Sequence, residues 1–132
     1  MSSDSGNAKG VWEVDIVEYS WGQFVIREGE EADSAYVLKH GEVEVLKKSP
    51  DGREIRIAKL GPQEIFGEMC LFENTPRRSA SVRVVSERAV VMIISKDHFQ
   101  QHLNGMPEGI RSIIQILIQR LRKANRQITI LS

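Results

Sequence analysis

Short apolar runs separated by turn signals fill the chain from Val11 to Ile94. Phe24-Val25-Ile26, Ala35-Tyr36-Val37-Leu38 and Val43-Glu44-Val45-Leu46 are β-rich, the last with an alternating start. Ile55 and Ile57 alternate with Arg56 as on a half-buried strand, and Val82-Arg83-Val84-Val85 and Ala89 to Ile94 add further strand material. Gly29 and Gly41 punctuate these runs, and Gly61-Pro62 breaks the strand that carries Ile57. Ser49-Pro50-Asp51-Gly52 reads as a hairpin turn in which Asp-Gly supplies the positive φ angles of a tight reversal. Many short strands, with turns about every eight to twelve residues, imply a sandwich or barrel-like roll over about 11–94.

Beyond Ile94 the period changes. Ser95 can cap a short helix over 95–103, Asn104-Gly105-Met106-Pro107 ends it, and Pro107 suits the first turn of a second helix over 107–130. In that second helix Ile110, Ile114, Leu117, Leu121, Ala124 and Ile128 recur at steps of four and three, a heptad-like stripe. Ile113, Ile116 and Ile118 widen it. A helix lying on its own domain needs only one stripe, so the surplus predicts a second contact, with a partner helix or with ligand.

Length and composition add bounds. With 132 residues the chain is one domain, expected over 11–132 behind a Ser/Gly/Asn-rich disordered leader or cloning remnant at 1–10. Formal net charge is zero, so no global field draws it to nucleic acid or membrane. Residues 13–44 nevertheless carry nine acidic and two basic side chains, and the segment from Pro107 is basic; solvated faces account for both. The single cysteine, Cys70, excludes an internal disulfide and fits a reducing cytoplasm. No apolar run approaches the roughly 20 residues of a spanning helix.

The chemistry concentrates in Phe66-Gly67-Glu68-Met69-Cys70-Leu71-Phe72 and Arg77-Arg78-Ser79-Ala80-Ser81. One carboxylate, one helical turn and one arginine around a short loop suit a ligand with both a hydroxyl and a phosphate. Glu68 can accept a charge-assisted hydrogen bond from a hydroxyl. The N–H groups opening a helical turn can receive an anion. Arg78 offers forked donors to phosphate oxygens, and Gly67 permits close backbone approach.

This segment resembles the phosphate-binding cassette of the cyclic nucleotide-binding domain family, whose pattern runs F-G-E-x-x-L, a loop, then R-[ST or A]-A. Gly67, Glu68, Leu71, Arg78 and Ala80 match it, and the resemblance extends from about Trp21 to Gln127. It is most similar to the catabolite activator branch. The resemblance implies a mainly β fold with flanking helices, a β-roll of the double-stranded β-helix or jelly-roll kind, ending in a long C-terminal helix. It implies that Glu68 holds the ribose 2′-hydroxyl and Arg78 the cyclic phosphate, with Met69, Cys70 and Leu71 in the cassette turn. Ser79 is a second contact to phosphate or base, or a β-edge hydroxyl. Val45, Ile57 and Leu60 fall on the strands that floor the site, where plain core packing is equally compatible. The resemblance further implies that the long helix repositions on binding and can form a homodimer seam, and that Asn125, whose amide both donates and accepts, falls where the helix reaches the purine edge; facing solvent is the alternative for it. The ligand implied is cAMP, with cGMP the lesser candidate.

No Ser/His/Asp, Cys/His or paired-carboxylate arrangement stands out, and no phosphate loop of the G-x-x-x-x-G-K-[ST] kind occurs, so no enzyme activity is expected. His98 and His102 stand four apart on a short helix without an acidic third ligand, which favours surface decoration over metal. Cys70 reads as a small packing residue. Two rivals share the fold: an interaction module with an empty pocket, and a haem-type sensor. Three departures from the family pattern stand out. Gln63 occupies a turn position where many members have glycine, the preceding helix looks short, and no helix-turn-helix follows the long helix. No nucleic-acid contact is therefore carried over to these residues.

Overall fold

The computed structural model describes residues 14–72 and 77–127, with side chains described as far as Ala124. The leader expected at 1–10 lies outside the described residues. The strands are β1 (Asp15–Ser20), β2 (Phe24–Ile26), β3 (Ser34–His40), β4 (Val43–Lys48), β5 (Glu54–Leu60), β6 (Ile65–Phe66), β7 (Ser81–Val84) and β8 (Arg88–Ser95). Helices α1 (Lys96–Asn104) and α2 (Glu108–Gln127) follow. The strands form two four-stranded sheets, ordered β1-β8-β3-β6 and β2-β7-β4-β5, with antiparallel pairing throughout.

The core lies between the sheets. Leu38, Phe66, Ala89 and Val91 come from the first, and Ile26, Val43, Val45, Val82 and Val84 from the second. Burying each larger aliphatic side chain here contributes about 1.5–3 kcal/mol. This is the β-roll that the family resemblance implies, within the sandwich or barrel-like roll that the strand spacing allows, with the helices at its C-terminal end.

Local departures have physical causes. β1 escapes the apolar pattern because Val17 and Tyr19 are half-buried while Ile16 lies on the opposite, exposed face. β6 is two residues long, too short for any period to show. In the Ser49–Gly52 turn only Gly52 takes a positive φ, at 90°. Asp51 was expected to share it; instead its carboxylate accepts from the backbone and side chain of Arg53, at 3.3 and 3.0 Å. Gln63 does adopt the left-handed region, at φ 73°, and is the single non-glycine residue to do so among the described residues.

Ser95 caps α1 as its chemistry suggests, accepting from the His98 N–H at 3.1 Å. The helix is anchored by the Lys96 N–H on the Asp33 carbonyl at 2.9 Å, and by Gln100 Nε2 on the Leu71 carbonyl at 3.3 Å. α2 leaves its apolar stripe in solvent: Ile110, Ile113, Ile116 and Leu117 are each more than half exposed. No described helix is long and apolar enough to cross a membrane.

Candidate functional site

The site is built where β6 runs into a single 3-10 turn, Glu68–Leu71. Gly67 opens that turn at φ 69° and ψ 20°. Its surroundings require glycine on a second ground. A Cβ there would lie 2.9 Å from an Nη atom of Arg78, 3.1 Å from Ile26 and 3.2 Å from Tyr36. The sequence therefore places a residue without a side chain where an arginine, an isoleucine and a tyrosine converge.

Arg78 is held first by its backbone. Its N–H donates to the Glu30 carbonyl at 2.8 Å, and its carbonyl accepts from the Gly29 N–H at 2.9 Å. As a residue it is buried, at 8% exposure. One Nη donates to the Gly67 carbonyl at 3.2 Å and the other to the Ser34 carbonyl at 2.8 Å. The Cζ lies over the Tyr36 ring, 5.5 Å from its centroid. Both acceptors are neutral, so these bonds orient the guanidinium without cancelling its charge. A guanidinium carries five N–H donors, which leaves capacity for an anion.

Glu68, half-buried, and Arg78 border a cavity of about 410 Å³, within the range of small-molecule sites. Val45 and Leu60 line its floor; Gly67, Met69, Cys70, Ser79 and Ala80 line the cassette side. Two expected residues do not reach it. Ile57 is the extra residue of a β-bulge, because Val45 pairs with Ala58 and Leu46 with Arg56, and Ala58 lines the cavity in its place. Leu71 turns into a second small core with Ala35 and Cys70, completed by Ala32, Phe72 and Phe99. The Asn125 side chain lies outside the described residues.

Several lining residues escaped sequence reasoning. Ile26, Ala32, Ile65 and Val82 belong to runs read only as strand or linker. Arg77 is exposed, donates to the Gly29 carbonyl at 3.3 Å and also borders the cavity. Lys47 Nζ donates to the Ser79 carbonyl at 2.6 Å, which ties the cassette strand to β4. Alternation around Leu60 would have found Ala58; the others carry no signal in a single sequence.

The electrostatics favour a quiet thiol. Burial raises Cys70 above its usual 9.0, against the pull of Arg78. The thiol donates to the Ser34 carbonyl at 3.3 Å, one of the two carbonyls that hold Arg78. Burial likewise raises Tyr36 above 10.0, and Arg78 again acts in the opposite direction. Both groups are neutral at physiological pH. Among the described residues no group of three or more His, Cys, Asp or Glu could hold a metal ion.

The cyclic nucleotide-binding domain family model matches residues 16–105. The CRP-like cAMP-activated global transcriptional regulator of Mycobacterium tuberculosis is 32% identical over 112 residues, which is 85% of this chain and 49% of that protein. The chain thus spans about half the length of this relative. The N-terminal domain of a transcriptional regulator from Streptomyces coelicolor superposes with TM-score 0.72 at 31% identity, covering 86% of this chain and 79% of that one. The cAMP-bound form of the EAL enzyme Bd1971 does so with TM-score 0.60 at 33% identity, covering 87% of this chain and 30% of that one.

Proposed function

Because the chain belongs to the cyclic nucleotide-binding domain family, we propose that its cavity takes a 3′,5′-cyclic nucleotide, cAMP ahead of cGMP, and that it acts as a regulatory sensor rather than an enzyme. One observation carries this reading. A buried arginine and a half-buried carboxylate both line a cavity whose remaining walls are mostly apolar. Apolar walls suit a purine ring. Arg78 suits the cyclic phosphate, since guanidinium–phosphate bonds are charge-assisted and forked. Glu68 suits the ribose 2′-hydroxyl as an ionised acceptor, and Ser79 adds a hydroxyl beside them. The cAMP-activated and cAMP-bound relatives support the choice of ligand.

The output runs through α2. Its exposed apolar stripe fits a second copy of the same helix, which makes a homodimer seam. Its far end carries Asn125, to read the purine edge. The nucleotide shifts the population of α2 positions only as far as it binds one of them better.

The test is a calorimetric titration with cAMP and cGMP side by side, on wild type and on Arg78→Leu. Removing a buried charge partner costs about 2–5 kcal/mol. The variant is therefore expected to bind cAMP roughly a hundredfold more weakly or worse while keeping its fold. Near-normal affinity in Arg78→Leu refutes the site, and a clear preference for cGMP refutes the choice of purine.

A further inference from the structure

The geometry points to Tyr36 as the positioning residue for the Arg78 guanidinium. On the reading that Arg78 receives the phosphate, Tyr36 is thereby a determinant of ligand affinity. It does not line the cavity, so its effect on a ligand passes through Arg78.

The Ser34 carbonyl, the Gly67 carbonyl and the Tyr36 face each orient the guanidinium before any ligand arrives. The carbonyls are backbone groups and set where the N–H bonds point. The ring sets the tilt of the guanidinium, because a cation is drawn to the electron-rich face of an aromatic ring. Tyr36 is itself held. Its ring stacks on Phe66 with centroids 5.2 Å apart and planes 6° from parallel. Phe66 is also its cross-strand partner and immediately precedes Gly67. The stack thus ties the tyrosine to the strand that delivers the binding turn. The phenol also stays neutral, since burial raises its pKa, so its ring presents a face rather than a competing anion. Preorganising a flexible side chain in this way lowers the cost of binding.

The test uses the full chain with Tyr36→Phe and Tyr36→Leu, each also in an Arg78→Leu background. In the ligand-free protein the Arg78 Nε–H resonance is expected to hold in the Phe variant and to move in the Leu variant, which lacks the ring. Tyr36→Phe should bind cAMP within about twofold of wild type. Tyr36→Leu should bind about tenfold more weakly, and should add little once Arg78 is gone. If the Leu variant does not fold, pentafluorophenylalanine at position 36 replaces it: it keeps the shape of Phe and reverses the charge of the face, so the same tenfold loss is expected relative to Phe. An unmoved Arg78 resonance, or a loss that adds fully in the Arg78→Leu background, overturns the proposal. A wild type that binds no cyclic nucleotide overturns the functional reading instead, and the Arg78 resonance alone then decides for or against Tyr36.

Discussion

Replacing Gly67 with alanine separates two costs that the structure superimposes at one atom. The first is conformational. A left-handed φ of 69° in a residue with a Cβ costs about 1–2 kcal/mol. The second is steric. The new Cβ meets an Arg78 Nη at 2.9 Å, with Ile26 at 3.1 Å and Tyr36 at 3.2 Å. Overpacking of this kind costs about 1–3 kcal/mol. The lower end applies here, because the nearest atom is the far end of a long side chain rather than backbone. The sum is about 2–3 kcal/mol of stability. The relief of the clash also has a direction: it moves the guanidinium from the carbonyls that orient it, so cAMP affinity should fall about tenfold. Gly52→Ala is the matched control. Gly52 also has a positive φ, at 90°, but open space where its Cβ would be. Urea unfolding should show the control losing only the conformational part, and titration should show its cAMP affinity unchanged. If the two variants lose equal stability, or if Gly67→Ala binds cAMP like wild type, the account of a guanidinium packed against Gly67 is wrong.

Glu68→Gln should weaken cAMP about tenfold, while 2′-deoxy-cAMP should bind the variant and wild type alike; wild type binding the deoxy ligand as tightly as cAMP would give Glu68 another job. Ending the chain after Arg120 should weaken cAMP at least tenfold and turn a cAMP-bound dimer into a monomer by light scattering. A tight-binding truncated protein, or an intact protein that is monomeric with cAMP, counts against α2 as sensor and seam. Gln63→Gly relieves a left-handed glutamine and should stabilise by about 1 kcal/mol, raising Tm by about 3–5 °C; a lower Tm would mean that the Gln63 side chain contributes more than its backbone costs.

Much of this molecule is legible in the sequence because its signals are local. The Ser95 cap, the break at Gly61-Pro62 and the β-rich runs each depend on a few neighbouring residues, and the structure places them where the pattern does. Glu68 and Arg78 both line the cavity, as the resemblance of one short segment to the family's cassette implies. What the sequence hides is non-local. The bulge that replaces Ile57 by Ala58 exists only in the pairing of β5 with β4. Leu71 leaves the cavity because Ala35 and Phe99 complete an apolar cluster from distant parts of the chain. The contact of Tyr36 with Arg78 likewise joins residues that no periodicity relates.

The existence of that second apolar cluster means that the turn bearing Glu68 does not share the fate of the main core. Cys70 and Leu71 are seated on Ala35, and Phe72 meets Phe99 of α1 edge-on with ring centroids 6.0 Å apart. So few buried side chains set a low free energy for local opening, well below that of unfolding both sheets. The binding turn is therefore a small folding equilibrium mounted on a rigid frame. A ligand that requires the closed turn adds to its stability by mass action, about 2.7 kcal/mol at a hundredfold excess over Kd. On the proposed reading, ligand concentration would thereby be converted into local order, and the edge contact between Phe72 and Phe99 would carry that order to α1, the helix immediately ahead of α2.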